Sequence, residues 1–282
     1  MSGDSSRIAE VTEAADVAAA RRRDLASADA RVRLAALESL ARRAAPLDEA
    51  DAVAVAACLA VAVKALQRRA ADVLATTGEA ARPAVLALLR AMLAGADAVA
   101  RWGACYALGR LGIVEPGLVP VLLDALASRD GDRRWAAAAS MVRCGRSHPE
   151  QVVPVLLAAA RAPSPELRKM ALYVLRDLAP ADPVVPPALL AALRDPDAVV
   201  RLAALSALVR LATPPAGAGD EVLRLARHDP DVGVRRAAVS ALGALGRGVD
   251  GVDATLDAAG GSTDPGLRRA AEGARRRRDH SP

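Results

Sequence analysis

Alanine, leucine and arginine recur along this chain at fixed places in a cycle of 33 or 34 residues. The cycle is plain in segments such as VRLAALESLARRA (32–44), LRKMALYVLRDLA (167–179), VRLAALSALVRLA (200–212) and VRRAAVSALGALG (234–246). Eight segments align without gaps. Their second residues serve as anchors: Arg33, Gln67, Arg101, Arg134, Arg168, Arg201, Arg235 and Arg268. Three places after each anchor stands Ala36, Ala70, Ala104, Ala137, Ala171, Ala204, Ala238 or Ala271. Seven places after it stands Leu40, Leu74, Leu108, Met141, Leu175, Leu208 or Leu242, until Arg275 breaks the series. At 100° per residue, offsets −1, +3, +6, +7 and +10 gather on one side of a helix. The small residue lets a neighbouring helix come close. The leucine beside it supplies burial, roughly 1.5–3 kcal/mol for each side chain fully removed from water.

Polar punctuation predicts where these helices start and stop. Four places before the anchor comes Asp29, Asp97, Asp130, Ser164, Asp197, Asp231 or Asp264, each able to accept a backbone N–H of the first turn. The second repeat has Val63 there and no cap. Gly78, Gly112, Gly145 and Gly246 are expected to close four of the helices. Shorter apolar segments at 48–61, 83–94, 117–127, 150–161, 187–194 and 221–227 read as the first helix of each pair. Pro120 and Pro154 are expected to kink theirs, and Pro187 to start one. The recurring anchor arginine, with an acid four residues earlier, predicts a ladder of ion pairs between repeats rather than a ligand site.

Two helices per 33–34 residues, each repeat stacked on the next, make an α-solenoid. The stretches DPDAVVRLAALSAL (195–208) and DPDVGVRRAAVSAL (229–242) resemble HEAT repeats, and the short period is similar to that of the repeats named after phycobilisome lyases. The resemblance implies an all-α, right-handed α-solenoid of about eight two-helix HEAT-like repeats across residues 11–279. It leaves 1–10 as a flexible N-terminal tail and 280–282 as a C-terminal one.

Composition narrows the class. Of 282 residues, 53% are hydrophobic and 25% charged, too apolar for a disordered chain. Three Cys exclude a disulfide scaffold. The net charge of +5 invites a nucleic-acid reading, but residues 264–282 carry six Arg against three acids, so +3 of it sits in one short tail. The N-terminal MSGDSSRIAEVTEA lacks a basic and an apolar region, and the longest apolar run, 52–63, is too short to span a bilayer. The expectation is a cytoplasmic protein with reduced thiols.

The sequence has no Phe, two Trp and two Tyr. All four rings fall at offset +1 or +5: Trp102, Tyr106, Trp135 and Tyr173. Those offsets, with +8 and +12, point away from the core side. In the repeats this chain resembles, that side of the second helix lines the concave surface. The rings are therefore expected to stand in solvent as a contact surface. Arg110, Arg143, Lys169 and Arg176 lie on the same stripe or its edge, so the groove is expected to be basic around an aromatic centre. Rings that merely fill a shallow groove are the blander alternative.

Enzyme signatures do not occur. No CxxC, HExxH or phosphate-loop motif is present, and His148, His228 and His280 have no His-Glu pairing. Cys105 adjoins Tyr106, but its place in the repeat is mostly apolar, which favours a packed thiol over a reactive one. The expectation is a non-catalytic scaffold without metal or cofactor that binds a protein or peptide, acidic if the arginines orient it. A bilin-lyase-like ligand-handling subunit and nucleic-acid binding through the groove and C-terminal Arg run are the alternatives.

Overall fold

The computed structural model describes residues 2–43, 46–178 and 183–280. Among them every regular element is a helix. They run in pairs: α1 (Ser2–Leu25) with α2 (Ala30–Ala41), α3 (Glu49–Ala57) with α4 (Lys64–Leu74), α5 (Arg82–Ala94) with α6 (Ala98–Arg110), and α7 (Val119–Leu126) with α8 (Gly131–Ser147). The series continues with α9 (Pro149–Ala159) and α10 (Pro165–Leu178), α11 (Val185–Ala191) and α12 (Ala198–Leu208), α13 (Ala218–His228) and α14 (Val232–Leu245), and α15 (Val252–Gly260) and α16 (Pro265–His280). Short 3-10 turns at Cys58–Ala60, Pro116–Leu118 and Ala192–Arg194 extend α3, open α7 and extend α11. The chain divides into two compact units, Met1–Leu122 and Leu123–Pro282.

The repeat register governs packing in both units. All eight repeated alanines are buried, as are the six leucines and Met141 four places beyond them. In the first unit α2 packs on α4 and α4 on α6. In the second, α8, α10, α12, α14 and α16 each pack on the next. Arg275, which breaks the leucine series, turns out to solvent and pairs with Asp257.

The caps behave as the spacing predicts. Asp29, Asp97, Asp130, Asp197 and Asp231 each accept a first-turn N–H, as Asp264 does from Leu267 at 2.9 Å. Val63 offers no side-chain cap. At the other end of α6, Gly112 sits at φ 77° and Ile113 N–H reaches back to the Leu108 carbonyl at 3.0 Å, a left-handed closure that glycine suits.

Several details differ from the sequence reading. Gly145 does not end α8, which continues to Ser147. A Cβ there would stand 2.7 Å from both Leu178 methyls, so this glycine serves close approach of α10. Gly78 lies beyond the end of α4, against Pro46. Pro120 falls in the first turn of α7, where proline costs little, while Pro154 is interior to α9. The first helix extends back to Ser2, into the stretch expected to be a flexible tail, and the last reaches His280. Residues 281–282 of the expected C-terminal tail lie outside the described residues. α15 had no predicted counterpart.

Two of the anchor arginines, Arg168 and Arg201, build the expected ladder, with a different acid. The residue four places earlier, Ser164 or Asp197, caps the helix, and the guanidinium turns elsewhere. Its Nη1 donates to carbonyls five and six residues back: Arg168 to Ala162 and Pro163 at 2.9 Å each, Arg201 to Asp195 and Pro196 at 2.8 and 3.0 Å. Its Nε–Nη2 edge then reaches the next repeat. Arg168 grips Asp195 at 2.7 and 2.8 Å, and Arg201 grips Asp229 at 2.8 Å through both nitrogens. In the second repeat the amide of Gln67 stands in, donating to the Leu59 carbonyl at 2.8 Å.

Candidate interaction site

The four aromatic residues occupy two places in the fold, and only one of them is open. In the first unit Trp102 and Tyr106 lie on adjacent turns of α6 with ring centroids 6.0 Å apart. Trp102 is only 8% exposed, which corrects the expectation that its ring stands in solvent. The cause lies on the same helical turn. Gly103 admits the 3-10 turn Cys58–Ala60 so closely that a Cβ would sit 2.4 Å from the Leu59 carbonyl oxygen. With the neighbouring backbone that near, the indole beside it is enclosed. Tyr106 is half-buried, and Cys105 is buried, a packed thiol. Arg110, at the end of this helix, pairs with Asp72 of α4 at 2.7 Å.

The second unit presents the other pair. Trp135, one residue past the anchor of α8, is 51% exposed. Its ring stacks on Tyr173 of α10 at 5.7 Å between centroids and 19° between planes, an offset arrangement of the favourable kind. Arg176, one turn further along α10, lies over the other part of the stack, its guanidinium carbon 4.8 Å from the Tyr173 centroid. Arg176 is held in turn. Two of its nitrogens reach Asp177 at 2.8 and 3.1 Å, and a third reaches the Ser206 hydroxyl of α12 at 3.1 Å. Hydrogen bonding to Asp177 raises the pKa of this already strong base. Three consecutive second helices thus contribute to one surface built from offsets +1, +5 and +8.

The remaining predicted residues flank it. Lys169 donates to Glu166 at 2.8 Å. Arg134 approaches the same carboxylate at 2.6 Å, though at an angle that forms no hydrogen bond. Arg143 donates to the Ser140 hydroxyl at 3.0 Å. Each predicted cation of the second unit therefore already holds a neighbour. The carboxylates of the Lys169–Glu166 and Arg176–Asp177 pairs remain 31% and 39% exposed, so an incoming acid can compete for the cation from the solvent side. Val209, 42% exposed at offset +8 of α12, extends the surface with an apolar side chain. The sequence reading passed over it because it weighed only rings and charges on that stripe.

Among the described residues, no group of three His, Cys, Asp or Glu could hold a metal ion, and no helix is long and apolar enough to cross a membrane.

Comparison with known proteins agrees with the repeat geometry. The family model described as HEAT repeats matches residues 142–209 and 186–275. The X-ray structure of YibA from E. coli is similar over 93% of this chain and 92% of its own, with a TM-score of 0.58 at 16% identity. A crystal structure of a Kap121p mutant is similar over 81% of this chain, with a TM-score of 0.54 at 12% identity. This chain spans 29% of that much longer one. At these identities the likeness concerns the fold. No curated protein sequence matches the chain.

Proposed function

We propose that this chain, an all-α protein built from HEAT repeats, is a non-catalytic interaction scaffold that docks a protein segment on the Trp135–Tyr173 surface of its second unit. One observation carries the proposal: a tryptophan left half in water although it is already stacked on a tyrosine. Large aromatic side chains are normally withdrawn from solvent, and tryptophan, tyrosine and arginine together are the residues that dominate binding surfaces. Covering the exposed part of such a pair with an apolar side chain supplies a few kcal/mol at about 25 cal/mol per Å². The partner is a segment with an aliphatic or aromatic anchor for the rings and an acid nearby, which exchanges with Asp177 or Glu166 for Arg176 or Lys169. Trp102, Tyr106 and Arg110 have no part in this docking, since they belong to the first unit, where the indole is enclosed.

A flat conjugated ligand of the bilin kind is less well served. Tyr173 and Arg176 already occupy part of the ring surface, and what stays open suits a single side chain better than an extended flat molecule. A cytoplasmic location completes the proposal, with Cys58, Cys105 and Cys144 as buried core thiols.

The test is affinity capture from the native cell with wild type, Trp135→Ala and the double variant Trp135→Ala/Tyr173→Ala. The expected result is one or a few protein partners retained by wild type, weakened by the single change and lost with the double, while helical circular dichroism stays the same. Capture that survives the double variant overturns the assignment. So does a complex that nucleic acid displaces and salt weakens steeply.

A further inference from the structure

The arginine ladder of the second unit has a gap. Every anchor there that precedes another repeat extends its Nε–Nη2 edge toward an acid, with one exception. Arg168 has Asp195 and Arg201 has Asp229. Arg134, followed by Ala162 at the matching place, approaches Glu166 instead. Arg235 keeps the first half of the pattern, Nη1 donating to the carbonyls of Asp229 and Pro230 at 2.7 and 3.2 Å. The residue that stands where Asp195 and Asp229 stand, six before the next anchor, is Ser262. Its hydroxyl still accepts the Asp264 N–H at 3.1 Å, just as Asp195 and Asp229 accept from Asp197 and Asp231 at 2.9 Å. The turn is preserved and only the charge has gone. The adjacent acid, Asp264, is taken by Arg236. Among the described residues, none pairs its carboxylate with Arg235.

Arg235 and Ser262 both line a cleft of about 340 Å³. Its wall is small and apolar, made by Val239, Ala254, Ala258, Ala259 and Leu267. Arg227 stands at the rim, fixed by Thr255 Oγ1 and the Gly251 carbonyl at 2.7 Å each. The matching cleft around Arg168 has nearly the same volume and an alanine wall as well, but Asp195 forms part of it. The protein thus shows what fills this seat when a carboxylate is supplied from within.

We propose that the Arg235 cleft binds a small aliphatic carboxylic acid. Its carboxylate takes the place on the Nε–Nη2 edge that Asp195 and Asp229 take on Arg168 and Arg201, the planar two-point grip for which guanidinium is suited. The Ser262 hydroxyl lies beside it. The short hydrocarbon body rests on the alanines and Leu267. This site is independent of the aromatic pair.

Butyrate is the probe, followed by NMR titration of the full-length protein. Saturable shifts are expected at the Arg235 side-chain N–H and the backbone amides of Ala258 and Ala259, with none for uncharged butyramide. Arg235→Leu should weaken binding at least about tenfold, the scale of one lost charged contact. Ser262→Asp should do the same by filling the seat from within, and should raise the melting temperature by completing the ladder. Trp135→Ala should leave the titration unchanged. Shifts that do not saturate, equal binding of butyramide, or butyrate binding undiminished in Ser262→Asp would overturn the proposal.

Discussion

Two tryptophans stand one residue past an anchor arginine, in the second helices of successive repeats, and meet opposite fates. Trp102 is enclosed while Trp135 lies half in water. What separates them is the next residue. Gly103 lets the Leu59 carbonyl come to a distance no Cβ would tolerate. In α8 the same place is Ala136, which carries the Cβ that Gly103 lacks. The repeat register decides which side of a helix a ring leaves from. Whether that side is open depends on how near the neighbouring backbone comes. A ring enclosed in one unit contributes to stability; its counterpart in the other is available for contact.

Breaking that contrast should give effects of graded size. Trp102→Ala should be the most damaging, costing about 3–5 kcal/mol of stability in a denaturant titration, as for other enclosed aromatics replaced by alanine. Gly103→Ala should cost about 1–3 kcal/mol by overpacking. It should also raise the accessibility of the Trp102 indole to acrylamide, making α6 behave more like α8. If Gly103→Ala leaves stability and quenching as they were, close approach is not what encloses the ring.

Acid should separate the units next. Burial raises the carboxyl of Asp195, but hydrogen bonding to Arg168 and the Asp197 N–H outweighs it and leaves the group below its ordinary range. Glu221, raised by burial, ends below its range through Arg224 and Arg194. Asp264 is held low chiefly by Arg236 and then by the Leu267 N–H. Folded carboxyls that titrate below their unfolded values add stability that is complete above the ordinary carboxylate range, near pH 4–4.5, and is lost as pH falls through and below it. These three lie in the second unit. In the first, the carboxyl lowered in this way is the exposed Asp29, by Arg31. Protection factors for amide exchange, each referred to the intrinsic rate at its pH, should fall more between pH 6 and pH 3 in α10–α16 than in α2–α6; an equal fall would contradict this. The smallest effect on folding is expected from Trp135→Ala, within about 1 kcal/mol, as for surface positions generally.

Much of this was legible before any coordinates. Periodicity located the second helix of every pair, because an alanine and a leucine at fixed offsets are what close stacking requires. Capping aspartates were readable for a similar reason, since their chemistry is local. α15 escaped notice because DATLDAA is short, flanked by glycines and acidic on one side. The ladder was foreseen but its acid misassigned: the acid that the guanidinium meets stands six places before the next anchor, not four before its own. Trp102 was misplaced because offset describes direction and not distance to the neighbour. Ser262 was visible in principle: aligning on the anchors sets it under Asp195 and Asp229. Its meaning emerged only once those two aspartates were seen on Arg168 and Arg201.

The docking claim reduces to one indole. In a Trp102→Phe background Trp135 is the sole tryptophan, and its fluorescence reports that surface alone. The account predicts red-shifted, acrylamide-accessible emission in the isolated protein. Adding the captured partner should shift the emission to the blue and cut its quenching to a fraction. Emission equally quenched with the partner bound would show that it binds elsewhere.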